Sequence, residues 1–391
     1  VDQLGNNYSV GVVYSGTVYN PTWGSDTISK GKNNSYDGYI VKHDVQGNQK
    51  WSLSFGGASI DFISDVKTIG DTSIVVVGYY RSSIKLDTAT LAAPPANSYN
   101  LVVAMLDSAG KVQWTKTAEV GAAPWGLFNN NYNPTIDVNS NGEIVVGGTY
   151  RASAKFNSTT ISASTSNGIG SFVASYTTKG KFNWVKNISP TTSFSFATRV
   201  TIDDNSAVYA SGIYAGSLTV DSKTISASGS RDVFLIKIDT AGKAKWLKTI
   251  GGTGLDEAYG LAVDKFNNLY LGGRFQTSLK VGDSSLSNIT SNFNYDAFIV
   301  RLDTAGKYVW GRAFGGYAGS YQNLDYCYGV GVDNRGNIGI SGRFGGTLAK
   351  FGKDTLSSGG SARAIYTSLV DSTGDFIWTI RGTSSTFYYN Q

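Results

Sequence analysis

The chain is built from a repeated segment that is centred on a tryptophan. In residues 295–316 (YDAFIVRLDTAGKYVWGRAFGG) an apolar run is followed by the turn sequence Asp-Thr-Ala-Gly and by a second, alternating run that contains Trp310. An apolar run, a tight turn and an alternating run together predict a β-hairpin. Five further tryptophans have the same setting, and successive ones lie 63, 70, 62, 64 and 68 residues apart. The whole chain is therefore predicted to consist of six copies of one unit.

The six hairpins share the chemistry of their turns. Each has a turn glycine four residues before the tryptophan, and all but one have an aspartate three residues before that glycine. Glycine supplies the positive φ of a short turn, and aspartate caps the turn with its side chain. A residue required once per unit is expected to pack between units rather than to bind a ligand. The tryptophans are Trp51, Trp114, Trp184, Trp246, Trp310 and Trp378.

Two further landmarks complete the unit. A second predicted hairpin lies upstream of the tryptophan hairpin and is clearest in residues 259–275 (YGLAVDKFNNLYLGGRF). Between the two hairpins, a short polar connection ends in a small motif such as residues 351–356 (FGKDTL). One unit then holds four strands, which we label a, b, c and d in chain order. Four short strands in about 65 residues, repeated along a chain, predict the blade of a β-propeller.

The two ends of the chain predict how the propeller closes. Val1-Asp2 matches the end of strand a, so the first copy lacks most of that strand, and residues 386–391 (TFYYNQ) lie where a strand a would begin. We expect this C-terminal strand to complete the N-terminal blade and to remove the open sheet edges. The fold is thus predicted to be all-β, a six-bladed β-propeller of four-stranded blades in a single domain over residues 1–391. The predicted blades cover residues 1–55 with 383–391, 56–118, 119–188, 189–250, 251–314 and 315–382.

The composition supports short strands rather than helices. The chain has 391 residues with 48 glycines, 13% aromatic residues and 16% charged residues, whereas helices favour Ala, Leu, Glu and Lys. It contains no apolar run of roughly 18 residues, so we expect no membrane span. It begins at Val1 without a signal peptide; we therefore expect a mature form or an excised segment.

The charge and the rare residue types limit the expected partners. The net charge of +5 is scattered over many turns, whereas nucleic-acid binding calls for clustered basic residues, so we expect no nucleic-acid partner. A single histidine, His43, cannot form a histidine-rich metal site, and no dense aspartate loop for calcium occurs, so we expect no metal and no cofactor. The one cysteine, Cys327, is expected to be buried and inert. Low charge and almost no Cys or Met favour an exported bacterial protein.

The repeat carries the pattern D-A-F-[IV]-x-[KR]-[LI]-D-x-x-G-x-x-x-W, followed by FGG and by [GA]-[LV]-x-V-D-x-x-x-N-[LI]-Y. It resembles the bacterial β-propeller repeat (SBBP repeat) family, most closely over residues 231–282 and 295–351. The Trp184 copy departs from it, with Thr177 in place of the aspartate and Asn-Ile-Ser in place of FGG. The resemblance implies a secreted or cell-surface protein on the outer-membrane exterior, often one part of a longer chain or larger assembly. It brings no shared catalytic motif.

Aromatic residues outside the register of the repeat are the candidates for binding, because the scaffold does not require them. Those on the d-to-a connections and at the start of strand a are predicted to collect on one face. Aromatic rings beside carboxylates and amides stack on sugar rings or anchor a protein; the alternative is that about half of them fill the inter-blade core. The candidates are Asp61, Phe62, Trp125, Phe128, Asn129, Tyr132, Phe194, Phe196, Asp256, Tyr259, Asp325, Tyr326 and Tyr388.

Two enzymatic alternatives remain beside this face. Arginines recur after strand b, at Arg81, Arg151, Arg274 and Arg343, and converging arginines could clamp a carboxylate. However, the Asp-x-x-Gly-x-x-x-Trp turn is longer than the "Asp box" of sialidases. Asp256 and Asp325 could act as the paired carboxylates of a carbohydrate-active hydrolase or lyase, but they are repeat-equivalent, which favours a structural role.

We therefore predict no catalytic residues. The predicted function is that of a non-catalytic exported β-propeller that binds a protein or glycan partner at the cell surface, or serves as a structural part of a surface assembly.

Overall fold

The computed structural model describes residues 1–14, 22–23, 26–27, 35–122, 133–191, 193–289, 294–318, 324–359 and 363–382. Within these ranges the chain forms strands and turns and no helix. It divides into two compact units, Val1–Asn187 and Ile188–Gln391. Each unit holds three of the six β-propeller blades, which confirms the predicted fold class. The predicted closing strand, residues 383–391, lies outside the described residues, and the single domain stays a prediction.

The first unit contains blades 1 to 3. The strands of blade 1 are β1 (Asn7–Tyr14), β2 (Thr22–Trp23), β3 (Asp26–Thr27), β4 (Tyr36–His43) and β5 (Gln49–Phe55). Those of blade 2 are β6 (Phe62–Ile69), β7 (Ser73–Tyr80), β8 (Ile84–Leu86), β9 (Ala89–Leu91), β10 (Ser98–Asp107) and β11 (Val112–Ala122). Those of blade 3 are β12 (Thr135–Val138), β13 (Glu143–Arg151), β14 (Ser153–Phe156), β15 (Thr159–Ser162), β16 (Ile169–Thr177) and β17 (Phe182–Ile188).

The second unit contains blades 4 to 6. The strands of blade 4 are β18 (Ser195–Ile202), β19 (Val208–Tyr214), β20 (Ser217–Val220), β21 (Lys223–Ser226), β22 (Asp232–Ile238) and β23 (Ala244–Gly251). Those of blade 5 are β24 (Glu257–Val263), β25 (Leu269–Gln276), β26 (Ser278–Val281), β27 (Ser284–Ser287), β28 (Tyr295–Leu302) and β29 (Tyr308–Ala318). Those of blade 6 are β30 (Tyr326–Val332), β31 (Ile338–Gly345), β32 (Leu348–Phe351), β33 (Asp354–Ser357), β34 (Arg363–Val370) and β35 (Phe376–Gly382).

Blades 2 to 6 are antiparallel sheets in the order a, b, c, d, and the described part of blade 1 has the order b, c, d (β1, β4 and β5). In blade 5 these strands are β24, β25, β28 and β29, and blades 2, 3, 4 and 6 repeat the order. The apolar residues of strands b and c are almost wholly buried, so these central strands supply most of the core. The predicted hairpins around Gly306 and in residues 259–275 are thereby confirmed.

The connection between strands b and c differs from its prediction. It was expected to be a polar connection, but it forms a small hairpin, such as β26–β27. The hairpin pairs with strand d of the preceding blade; in this case Val281 lies opposite Ile250. Its strands have only two to four residues, too few for an alternating pattern to stand out in the sequence. In blades 2 to 6 the small hairpin nevertheless places apolar side chains, such as Val281 and Phe351, in the core.

The tryptophan of strand d also links neighbouring blades. The indole Nε1–H of Trp51 donates to the carbonyl of Ser108, at 3.0 Å, and that of Trp310 donates to Ser372, at 2.9 Å. Each accepting residue lies in the c–d turn of the next blade. A Cβ added to the turn glycine Gly374 would lie 2.8 Å from the ring of Trp310, so the turn rests directly on the indole. The prediction that these tryptophans pack between blades is confirmed for these pairs.

Candidate binding site

A cluster of arginines and tyrosines lies at one end of blades 4, 5 and 6, within the second unit. The cluster lies at the end of the blades where each strand a begins and each strand b ends. Three strands of blade 5 contribute to it, and blade 6 and the residue before strand c of blade 4 complete it. We call it the arginine–tyrosine cluster: Arg231, Glu257, Tyr259, Arg274, Tyr295, Tyr326, Tyr328 and Arg343.

A β-bulge in strand a sets the direction of two of the tyrosines. In blade 5 the register of strands a and b shifts between Ala258 and Gly260, which leaves Tyr259 as the extra residue. In blade 6 the same shift leaves Tyr328 as the extra residue. A bulge re-aims a side chain away from the regular alternation of a strand. The opposite residue of strand b must be glycine, because a Cβ at Gly273 would collide with the carbonyl oxygen of Glu257.

Glu257 is the electrostatic centre of the cluster. Only 1% of it is exposed, and its Oε1 lies 2.9 Å from Nη1 of Arg231. Its Oε2 accepts a hydrogen bond from Nε of Arg274 at 2.6 Å and another from the hydroxyl of Tyr259. One buried carboxylate thus holds two guanidinium groups and a phenol, which is the compensation that a buried charge requires.

Aromatic rings enclose the arginines. The guanidinium carbon of Arg274 lies 4.0 Å from the ring centroid of Tyr295 and 4.4 Å from that of Tyr326. The guanidinium carbon of Arg343 lies 4.1 Å from the ring centroid of Tyr326, so this ring contacts both arginines. These distances are within the range of cation–π attraction. The rings of Tyr326 and Tyr328 stack at 4.9 Å, so the cluster forms one continuous layer of rings and cations.

The environment raises the pKa of three members of the cluster, Arg274, Tyr295 and Tyr328. Burial by itself lowers the pKa of Arg274, but the adjacent Tyr259 and Glu257 raise it on balance. Burial raises the pKa of Tyr328 to about 12, although the nearby Arg343 acts against this rise. Burial also raises the pKa of Tyr295. These shifts favour the charged form of Arg274 and the neutral, hydrogen-bonding form of Tyr295 and Tyr328.

The predicted aspartates are buried at the start of strand a in their own blades, Asp61 in blade 2, Asp256 in blade 5 and Asp325 in blade 6. Asp61, Asp256 and Asp325 are all 0% exposed. Asp325 accepts hydrogen bonds from the backbone N–H groups of Gly316, at 2.8 Å, and Gly345, at 2.7 Å. It thus joins the end of strand d to the end of strand b. Burial raises the pKa of Asp61 and Asp256 to about 7 and that of Asp325 well above its ordinary range. Three repeats of the same buried link indicate a role in the scaffold.

A second aspartate in each of these junctions explains the FGG sequence after the tryptophan. Asp232 begins strand c of blade 4 and is 0% exposed. A Cβ on Gly251, the first glycine of that repeat, would lie 2.6 Å from the carboxyl carbon of Asp232. The second glycine, Gly252, passes so close to the small hairpin that a Cβ would collide with the carbonyl of Ser278. The two glycines are therefore needed because a larger residue would collide with the buried aspartate or with the small hairpin.

The other predicted candidates have mixed positions. Phe62 and Phe196 are buried, with 3% and 7% exposure, and therefore belong to the core, as the alternative anticipated. Phe194 is half-buried, and Arg231 lies 5.9 Å from its ring centroid at the edge of the cluster. Tyr259 and Tyr326 are within the cluster. The remaining candidates lie outside the described residues: Trp125, Phe128, Asn129, Tyr132 and Tyr388.

Six members of the cluster were absent from the predicted binding candidates: Arg231, Glu257, Tyr295 and Tyr328, together with Arg274 and Arg343, which were considered only as a possible carboxylate clamp. Arg231 precedes strand c, Tyr295 begins strand c, and Glu257 takes a position that holds a phenylalanine or tyrosine in blades 2, 4 and 6. The charged residue at an otherwise aromatic position was the signal that could have identified Glu257. Arg231 and Tyr295 lie on a strand that the prediction did not assign to the face.

The cluster is not a general feature of the repeat. Glu257 and Arg274 face each other in blade 5, and the equivalent pair in blade 2 is Phe62 and Tyr79. At the bulge, Ser64 takes the place of Tyr259, and its hydroxyl donates to the carbonyl of Pro134 at 2.6 Å. The scaffold is therefore built elsewhere without buried arginine or glutamate at these positions.

Comparisons with known proteins add little beyond the fold. No family model matches the chain. An uncharacterized WD repeat-containing protein (L264) of Acanthamoeba polyphaga mimivirus is 24% identical over 213 residues, which is 46% of this chain but only 15% of the viral protein. The chain thus spans a small part of that relative.

Two solved structures show a distant similarity. A protein of unknown function from Bacteroides caccae is 10% identical, with 96% of this chain and 93% of that chain covered and a TM-score of 0.40. A mutant apocarotenoid oxygenase of Synechocystis is 12% identical, with 83% and 63% covered and a TM-score of 0.42.

The described ranges also show the setting of possible metal ligands and of the single cysteine. No group of three or more His, Cys, Asp or Glu side chains is arranged there to hold a metal ion. In the same ranges, no helix is long and apolar enough to cross a membrane. Cys327 is 0% exposed, and burial raises the pKa of its thiol to about 12, in agreement with an inert side chain.

Proposed function

We propose that this chain is a non-catalytic β-propeller that binds a partner through the arginine–tyrosine cluster. The observation that supports this proposal is the departure of the cluster from the repeat. Other blades build the same junction with aromatic and small hydroxyl side chains, such as Phe62 and Ser64. Replacing these by a buried glutamate and two arginines costs desolvation energy and is a weak route to stability. A role in binding explains the presence of these charged residues better than a role in stability does.

The exposed part of the cluster has the composition of a recognition surface. Arg231, Tyr295, Tyr328 and Arg343 are partly exposed, while Glu257 and Tyr259 hold them from below. Tyrosine and arginine are the residues that contribute most to binding, since each combines a large flat contact area with directional hydrogen bonds. Their fixed positions also reduce the entropy lost on binding.

The proposed setting is the outer surface of a bacterial cell, with this chain as part of a longer protein or assembly. It is supported by the resemblance to exported propeller repeats and by the scarcity of Cys and Met, one of each in 391 residues.

The proposal is tested with an immobilised panel of neutral and acidic polysaccharides and peptides. We expect at least one member to bind the chain, and Tyr328→Ala to weaken that binding at least tenfold. Phe266→Ala is the matched control, because Phe266 is an exposed aromatic residue beside Lys265 at the opposite end of blade 5. Binding that is equal in both variants, or release of sugars from any polysaccharide, would contradict the proposal.

A further inference from the structure

We infer that the arginine–tyrosine cluster recognises a polysaccharide whose sugar rings carry carboxylates. This inference rests on the proposed function and specifies the ligand of the same surface. It follows from the charge, the donor geometry and the ring surfaces of the cluster.

The cluster has more positive than negative charge. Its three guanidinium groups are those of Arg231 and Arg274, which pair with the single carboxylate of Glu257, and that of Arg343, which lies over the ring of Tyr326. Burial raises the pKa of Asp256 to about 7 and that of Asp325 well above its ordinary range. Protonation of these two carboxyls lowers the negative charge that they, with the neighbouring Asp232 and Asp296, would otherwise place near the cluster. Since the surroundings are partly desolvated, an anion is attracted more strongly here than at an open surface.

Arg231 is the residue best placed to meet an anion. Arg274 is enclosed by two rings and has only 15% of its side chain exposed, so its role is to hold the layer together. Arg231 has 32% of its side chain exposed, and the contact described for it with Glu257 uses Nη1. The planar fork of a guanidinium matches the two oxygens of a carboxylate.

The accessible rings favour a sugar over a protein. Tyr295 and Tyr328 are half-buried and lie on either side of the arginines, so part of each remains available to a planar or ring-shaped group. A stable protein interface buries about 800 Å² per partner and uses roughly 20–30 residues on each side, far more than the eight residues of the cluster. This surface has cations at its centre, with aromatic rings around them. That arrangement fits one or two acidic sugar units of a longer chain.

The experiment compares two ligands that share a backbone. Binding of polygalacturonate is measured by isothermal titration calorimetry at 0.15 M NaCl beside that of the same polymer with its carboxylates methyl-esterified. Arg231→Gln is compared with Arg335→Gln, since Arg335 is exposed in the a–b turn of blade 6, at the far end from the cluster. Both variants change the net charge equally. Melting temperatures establish that each variant is folded.

We expect polygalacturonate to bind, the methyl ester to bind at least tenfold more weakly, and Arg231→Gln alone to lose affinity by a similar factor. Equal binding of the two polymers with a loss on Arg231→Gln would overturn the carboxylate inference and leave the proposed function standing. Tighter binding of heparin would show a general anion site, and tighter binding of poly-glutamate would show an acidic protein partner; either overturns the inference. Binding that is indifferent to Arg231→Gln and to Tyr328→Ala would overturn both proposals.

Discussion

The buried aspartates near the start of strand a make the scaffold sensitive to pH. Asp256 is 0% exposed and accepts backbone hydrogen bonds from Gly252, at 2.6 Å, and Gln276, at 3.3 Å. Burial raises its pKa from an ordinary value of 3.8 to about 7. Because the folded state keeps this proton to higher pH than the unfolded state, the stability from this group is full below about pH 4. It declines as the pH rises through 7.

Replacing Asp256 by asparagine should reveal this dependence. In Asp256→Asn one acceptor oxygen becomes a donor, so we expect a loss of about 1–3 kcal/mol at pH 5, where the parent is protonated. At pH 8 the parent bears the cost of a buried charge and the variant does not, so the difference in melting temperature should narrow between pH 5 and 8. Scanning calorimetry at unit pH steps measures this difference.

A turn aspartate provides the control for this pH series. Asp333 is exposed, and hydrogen bonds from Asn337 lower its pKa. Its contribution to stability is therefore lost only below about pH 4, so the difference between Asp333→Asn and the parent should stay constant from pH 5 to 8. A difference for Asp256→Asn that is constant or widens over this range would show that the aspartate is ionised in the folded state throughout.

Residue-level prediction succeeded where the repeat itself supplied the evidence. The equivalence of Asp256 and Asp325 favoured a structural role over catalysis, and the hydrogen bonds of both residues agree with that interpretation. The binding candidates were harder to identify, since burial of Phe62 and Phe196 depends on neighbouring strands. The role of Arg231 arises from proximity to Glu257, which is 26 residues later in the chain. Local sequence patterns do not reveal a contact between residues that are so far apart in the chain.

At the level of elements, the tryptophan of strand d is one link between neighbouring blades. Trp310 is 8% exposed, and its indole donates to Ser372 of the next blade. Trp378 occupies the same repeat position but is 39% exposed. Since the cost of truncating an aromatic residue follows its burial, the two positions should differ strongly in their contributions to stability.

Alanine substitutions at these two positions test this contribution. We expect Trp310→Ala to lower the free energy of unfolding by about 3–5 kcal/mol, because it removes a buried ring and a hydrogen bond. We expect Trp378→Ala to cost less than about half as much. Equilibrium unfolding in urea, followed by circular dichroism, measures both. If the two substitutions lowered the free energy of unfolding equally, burial of the indole against the next turn would not be what determines its contribution to stability.

The four main strands were predictable from the sequence, whereas the small hairpin was not. Strands such as β28 have five or more apolar or alternating residues and end at a turn with Asp and Gly, so both the pattern and the turn are visible. The small hairpin β26–β27 pairs with the preceding blade through Val281 and Lys280. The small hairpin therefore depends on the neighbouring blade, because an isolated two-stranded hairpin is only marginally stable and needs further strands to pair with.

At the level of the whole molecule, the distribution of charge predicts how the chain interacts with polyanions. The chain has 33 basic and 28 acidic residues, and its net charge is +5. Polyanions such as duplex DNA are attracted to any positively charged protein at low salt, and this attraction falls steeply as salt is added. Specific binding requires basic residues that are concentrated on one surface, and in this chain the excess is spread over many turns.

We therefore expect only weak, salt-sensitive binding of DNA. A 30-base-pair duplex should bind detectably at 0.05 M NaCl and not at 0.15 M NaCl, and Arg231→Gln and Arg335→Gln should weaken the low-salt binding equally, since each removes one charge. Fluorescence anisotropy with labelled DNA measures this. Binding that persists at 0.15 M NaCl, or that is lost through Arg231→Gln alone, would mean that the cluster accepts phosphate. The exclusion of nucleic acid from the partners of this propeller would then be wrong.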